Sequence, residues 1–394
     1  NKYLKEDNYA VIYKKQGKDP NEKKMTKPEI TPIITNRDVT SPFLVEVQES
    51  AVKPIEPVFL DYQKDMSQLK AKSDIPVLYK QNVANDLFQL IYVFDMGNNH
   101  DKALGTAFDY LEYLGTSDMT PEELKSEFYR LACTFYVSPG NERTYVVLSG
   151  LNENMPAAVQ LFEKLLADAQ VNKEAYTNMT SDILKARSDA KLNQGQNFSR
   201  LMSFAMYGPK SPATNLLTEA ELTNMNPQEL VDRIHNQNSY KHRILYYGPS
   251  SSKDLLATIN QYHQVPAALK DIPAGNEYSY LETPVTKVLV APYDAKQIYM
   301  AQISNLDKKY DPAIEPIRAL YDEYFGGGMN SIVFQEMRET RGLAYSAWAS
   351  IMPPSYLKYP YVLRTQIATQ NDKMIDAVTT FNDIINNMPE SEAA

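Results

Sequence analysis

QIYMAQISNLDKKYDPAIEPIRALYDEYFGG, Gln297–Gly327, lines up without a gap on DLFQLIYVFDMGNNHDKALGTAFDYLEYLGT, Asp86–Thr116, at a constant offset of 211 residues (Asp86 to Gln297). Tyr110 falls on Tyr321, Glu112 on Glu323, Tyr113 on Tyr324 and Gly115 on Gly326. Each copy opens with alternating apolar positions, the pattern of a half-buried strand. Each then moves to apolar residues at helical spacing: Leu104, Phe108 and Leu111 in one, Ile317, Leu320 and Tyr324 in the other. Self-similarity at a fixed offset marks a duplicated structural unit. A second helix follows in each copy (PEELKSEFYRLA, SIVFQEMRETRG), then two strands (CTFYVS with RTYVVLSG, AYSAWASI with YVLRTQIAT), then a third helix. The pattern predicts an α+β fold of two homologous units, each a mixed or antiparallel sheet packed with helices.

Outward from the repeat, the chain divides into four parts. Residues 1–75 carry Lys clusters, scattered prolines and short pieces such as NYAVIYKK, PFLVEV and PIEPVFLDY that read as extended. They are expected to be a linker. Residues 76–268 form the first unit, with further helices over roughly 173–207 and 226–237, a strand HRILYYG and a helix SKDLLATINQYH. Residues 269–286 are a connector and 287–394 the second unit. The third helix of the second unit falls at the end of the sequence, so that unit is expected to be truncated by about 90 residues relative to the first, with the remainder supplied by further chain or by another polypeptide.

Composition narrows the function. The chain has 394 residues, 43% hydrophobic and 23% charged, as in a soluble globular protein. A net charge of -9 argues against a nucleic-acid partner. No apolar run reaches the roughly 18 residues of a membrane span. The single cysteine, Cys133, allows no internal disulfide and reads as a small buried hydrophobe. The 28 tyrosines suit either a core or a peptide-lining surface.

The densest local pattern is YFGGGMNSIVFQEMRETRGLAY, Tyr324–Tyr345. A Tyr-rich helix end runs into three glycines, expected to form a flexible turn with positive φ. A second helix then enters a strand through Gly342. Arg338 and Tyr345 stand seven residues apart across that junction. Either Arg338 lies on a solvated helix face while Tyr345 packs in the core, or both face a ligand. No acid lies three or four residues from Arg338 to pair with it along the helix. The first copy has Glu127 and Thr134 at the same offset, so the pair is not needed to build the unit.

The stretch Ile317–Ser346, with the repeat over residues 76–394, resembles the pitrilysin/insulinase family of zinc peptidases, the inverzincins. Members are built from four α+β units, two per half, joined by a long linker, and the halves close over a peptide. The resemblance is to the linker plus the second, non-catalytic half. In the family, H-x-x-E-H on a helix shortly before a G-T pair holds zinc and activates water. Here Leu114–Thr116, LGT, anchors the comparison, and Thr106, Asp109 and Tyr110 occupy the motif positions. The four histidines, His100, His235, His242 and His263, form no such motif; His100, His235 and His242 read as surface, capping or turn residues. The resemblance therefore implies no zinc in this chain, the Zn2+ being held by another half carrying H-x-x-E-H, on the same polypeptide or on a partner chain. It implies that Arg338 and Tyr345 contact the backbone of a peptide or unfolded polypeptide substrate near the scissile carbonyl, with Arg341 as the second guanidinium. The alternative it leaves is a catalytically inactive scaffolding homologue. A chain that opens on Asn1 rather than Met favours a bacterial periplasm or cell envelope.

Overall fold

The computed structural model describes residues 5, 7–13 and 40–388. The chain divides into two compact bodies, Asn1–Phe59 and Leu60–Ala394. The smaller contains one described helix, α1 (Pro42–Glu49). PFLVEV, expected to be extended, is helical instead. Ser41 caps it by accepting a hydrogen bond from the Leu44 amide, and Pro42 fits the first helical position. NYAVIYKK forms no strand over its described residues 8–13, and residues 14–15 lie outside the described set.

The larger body holds both repeats. Its strands are β1 (Ser67–Lys70), β2 (Pro76–Gln81), β3 (Leu87–Phe94), β4 (Cys133–Pro139), β5 (Thr144–Leu151), β6 (Arg243–Gly248), β7 (Gln297–Lys309), β8 (Ser346–Met352) and β9 (Pro360–Gln370). Its helices are α2 (Leu104–Leu111), α3 (Pro121–Arg130), α4 (Met155–Asp168), α5 (Lys173–Ala190), α6 (Gln194–Tyr207), α7 (Glu219–Asn224), α8 (Gln228–Asn236), α9 (Ser252–Tyr262), α10 (Glu315–Asp322), α11 (Ile332–Phe334) and α12 (Met374–Asn386). The fold is α+β, as the repeat pattern required. β1 pairs with β2, so the first sheet begins inside the stretch expected to be linker.

The two sheets confirm the duplication strand by strand. The first has the order β1-β2-β6-β3-β5-β4 and the second β7-β9-β8. Since β7 corresponds to β3, β9 to β5 and β8 to β4, the second order repeats half of the first. All pairings are antiparallel except β2 with β6. The alternation read from the sequence is the pleat: Phe88, Leu90, Tyr92 and Phe94 of β3 face the core.

A buried polar chain ties the first repeat together, and sequence reading missed it. His242 and His263, expected to be peripheral or left unassigned, are both buried, His263 completely. His242 Nδ1–H donates to the Tyr240 carbonyl at 2.7 Å. Its Nε2 must then accept, and His263 Nε2–H donates to it at 2.8 Å. His263 Nδ1 lies 2.7 Å from Glu163 Oε1, so one proton is shared between them. Glu163 Oε2 accepts from the Gln264 amide and from Asn238 Nδ2, each at 3.0 Å. The chain links α4, the start of β6 and the end of α9.

The glycines serve a different purpose from the one expected. Gly326 and Gly327 sit in a π-helical turn, Glu323–Gly327, and Gly328 is extended at φ -147°. A Cβ on Gly326 would overlap the backbone nitrogen and oxygen of Ala349 in β8. Gly115, its counterpart, is equally closed off by the Met119 carbonyl. Close approach, not positive φ, demands glycine at this position.

Gly326→Ala should therefore destabilise the protein by about 2–4 kcal/mol, read from urea denaturation, because backbone must move. The histidines give a pH effect. Burial, then the charge of His263, pulls the His242 pKa from 6.5 down to about 4. Above pH 6.5 His242 is neutral in both states. As pH falls, the unfolded chain takes up a proton that the folded chain refuses, so stability drops between pH 6.5 and about 4, by up to about 3 kcal/mol. His242→Asn should flatten that part of the stability–pH curve.

Candidate substrate-contact site

The second helix of the second repeat starts at α11, capped by Ser331, whose Oγ accepts from the Phe334 amide at 3.3 Å. It continues as a π turn over Gln335–Thr340. Val333 and Met337 are fully buried and anchor the helix against β8 and α12. The Met337 carbonyl accepts from the amides of Leu343 at 2.8 Å and Ala344 at 3.1 Å. Gly342 makes the reversal in the left-handed region, φ 56°, with open space where a Cβ would be. The chain then joins the sheet through the Tyr345 amide, which donates to Ala368 O at 2.8 Å.

This route places Arg338 and Tyr345 side by side. The Arg338 guanidinium carbon lies 5.8 Å from the Tyr345 ring centroid and 4.9 Å from that of Phe334. Such contacts at exposed sites contribute about 0.5–1 kcal/mol and mainly orient the guanidinium. Tyr345 is 72% exposed, so it is not a core residue. The Arg338 side chain is 46% exposed, and among the described residues its one acidic partner is Glu339, at 3.6 Å from Nε. That pair is long and solvated, and leaves most guanidinium donors available. Among the described residues the Tyr345 hydroxyl has no hydrogen-bond partner.

Arg341 is not part of this group. Its Nε and Nη2 lie 3.3 and 3.2 Å from Glu336 Oε2. Residues five apart become neighbours where the helix takes a π turn.

The first repeat does the opposite at the same place. Glu127, the counterpart of Arg338, is held by Arg130 Nε at 2.9 Å and by its Nη2. The counterpart of Tyr345 needs correcting. Strand register matches Cys133 with Ser346, because each faces the equivalent residue of the next strand, Gly150 or Ala368. That is an offset of 213, so Tyr345 corresponds to Ala132 rather than to Thr134. The second copy carries two extra residues at this junction.

The positions that would hold zinc do not fit a metal. Tyr110 is fully buried. Its hydroxyl donates to Asn172 O at 2.6 Å and accepts from Asn172 N at 2.9 Å, which pins α2 to the start of α5. Thr106 and Asp109 supply no imidazole. Among the described residues no three His, Cys, Asp or Glu side chains converge on a common point. His100 Nδ1 accepts from the Gly97 amide at 3.1 Å and His235 Nε2 contacts Ala169 O at 3.1 Å. Cys133 is buried, and burial raises its thiol pKa, so it is not a nucleophile. β3 lies between β6 and β5, which leaves it no edge for a substrate strand.

No family model matches the chain. It is 20% identical over 263 residues to an uncharacterized zinc protease of Rickettsia felis, a match spanning 63% of this chain and 60% of that protein. A peptidase M16 inactive domain from Pseudomonas fluorescens superposes with a TM-score of 0.63 at 17% identity, covering 82% of this chain and 80% of that one. The fold is that of a peptidase M16 inactive domain. The periplasmic protease PqqL of Escherichia coli gives a TM-score of 0.69 at 14% identity, over 90% of this chain and 42% of that one. The chain thus spans 60% of the Rickettsia protein and 42% of PqqL. No helix among the described residues is long and apolar enough to cross a membrane.

Both members of the exposed pair should be removable without harm to the fold. Arg338→Ala should cost no more than about 1–2 kcal/mol, the size of its ring contacts, and Tyr345→Phe less than about 0.5 kcal/mol, both read from urea denaturation.

Proposed function

We propose that this chain is the non-catalytic half of a zinc metalloendopeptidase, closing a chamber over a peptide and presenting Arg338 and Tyr345 to its backbone. Zinc and the water-activating glutamate belong to another half carrying H-x-x-E-H, on the same polypeptide or on a partner chain. The observation that supports this reading is the exposed Arg338–Tyr345 pair, held by a buried anchor at Met337, with a hydroxyl that has no partner among the described residues and a guanidinium with one long acidic contact.

The chemistry suits a peptide carbonyl. A guanidinium fork and a phenol O–H are both donors. Contacts with the Phe334 and Tyr345 rings bias the guanidinium position before substrate arrives, which reduces the side-chain freedom lost on binding. When a carbonyl oxygen turns into an oxyanion, donors already in place stabilise it more than the starting amide. Arg341, already paired with Glu336, is a reserve cation at the rim. The name of PqqL favours a bacterial periplasm as the compartment.

The test is peptide cleavage by this chain reconstituted with an H-x-x-E-H half. Arg338→Ala and Tyr345→Phe should each lower kcat/KM by about 10²-fold, the effect of losing one oxyanion donor. Zinc content measured on this chain alone should stay far below one ion per chain. If both variants turn over normally while complex formation is impaired, the chain is a scaffold and the substrate role is refuted.

A further inference from the structure

A cleft of about 330 Å³ opens beside α8 in the first repeat, a volume in the range of small-ligand sites. Met96 and Leu104 line it and are themselves buried. The charged and polar groups around it are sorted along α8.

One end is acidic. Glu229 and Asp232 are exposed and stand one helical turn apart. Asp232 Oδ1 accepts from Gln228 Nε2 at 2.9 Å. Among the described residues neither carboxylate has an ion-pair partner. The third acid of the cleft, Asp101, is already matched. Its Oδ2 accepts from Arg233 Nε at 2.7 Å, and Arg233 Nη1 donates to the Glu229 carbonyl at 2.8 Å.

The other end offers donors. Gln237 opens the tight turn that follows α8 and is only 1% exposed. Its Nε2 is buried with no hydrogen-bond partner among the described residues. A buried donor left unmet costs free energy until something supplies an acceptor. Tyr240 and Lys270 line the same end. A backbone bridge holds them together: the Lys270 amide donates to Ser239 O at 2.8 Å, and the Lys241 amide donates to Lys270 O at 2.9 Å. Lys270 Nζ lies 5.6 Å from the Tyr240 ring centroid and has no acidic partner among the described residues.

Free acids at one end and free donors at the other complement a zwitterion. Its length follows from the helix. Asp232 and Gln237 are five residues apart, or about 7.5 Å at the helical rise of ~1.5 Å per residue. Two extended residues span about 7 Å. A single amino acid is too short to reach both ends.

We infer that this cleft binds a dipeptide with free termini. Its ammonium lies between Glu229 and Asp232, and its carboxylate meets Lys270 and Gln237 Nε2. An apolar side chain of the ligand packs toward Met96 and Leu104. Each unmet group of the cleft then faces a partner of opposite type, and the bonds at both ends are charge-assisted. The inference stands independently of the substrate role of Arg338 and Tyr345, which lie in the second repeat.

The experiment uses the full chain and, as probe, L-alanyl-L-leucine, titrated and followed by ligand-observed NMR. Its dissociation constant should be millimolar or lower, as suits a ligand of that size. Acetylating the amino end or amidating the carboxyl end should each weaken binding roughly tenfold or more, since each removes a charged end. Lys270→Ala should weaken the dipeptide by a similar factor and leave the binding of its amide unchanged. Gln237→Met should also weaken the dipeptide, while the urea midpoint stays or rises, because an unpaired buried amide gives way to an apolar chain of like length. Absence of binding overturns the inference. So does binding indifferent to blocking either terminus, or undiminished in both variants. Leucine alone binding as tightly as the dipeptide would overturn the two-residue span.

Discussion

The backbone pairing of β8 with β9 is the constraint on which the second repeat depends. It begins one residue before β8, where the Tyr345 amide meets Ala368 O, and it fixes everything on either side. On one side β9 pairs along β7 and sets the sheet. On the other, the helix end at Glu323–Gly327 has no room for a side chain facing the sheet, because Gly326 lies against the backbone of Ala349 in β8. A π turn on each side of Gly328–Ser331 takes up the residual mismatch between helix and strand. Arg338 is therefore positioned by backbone geometry, and its own side chain contributes little to holding it there.

Much of this was legible in the sequence, because a duplicated unit advertises itself twice. The strand alternation of β3 and β7 and the helical spacing of α2 and α10 recur at one offset, and the sheet orders β3-β5-β4 and β7-β9-β8 agree. The exposure of Tyr345 was one of two readings left open. What could not be read is what depends on register and distance. A gapless offset cannot show that two residues enter between helix and strand, so Thr134 looked like the partner of Tyr345 until the ladders placed Ala132 there. Three adjacent glycines read as a flexible turn, since sequence carries no sign that a neighbouring strand crowds one of them. PFLVEV reads as a short extended piece, yet Ser41 and Pro42 start a helix.

The buried chain Glu163–His263–His242 shows a second kind of blindness. Its members are 100 and 21 residues apart in sequence, and none carries a local motif. A histidine near a turn is ordinarily solvated. These two are buried because each ring nitrogen finds a partner, and a buried polar group is tolerated when its hydrogen bonds are met. The second repeat has Asn382 at the Glu163 position, and its Oδ1 accepts from Gln302 Nε2 of β7. The two repeats thus keep the same frame and differ in what their third helix receives.

The same divergence accounts for the candidate site. In the first repeat an acid at the Arg338 position is neutralised by Arg130 one turn on, and the place is electrostatically closed. In the second the sign is reversed, and the nearby acid of the same helix, Glu336, is engaged by Arg341. The π turn makes that pairing possible by bringing residues five apart together. Among the described residues Arg338 has only the long contact to Glu339, so most of its donors are available beside the Tyr345 ring. An exposed arginine on a helix held by buried Met337 is a donor array open to a partner from outside the repeat.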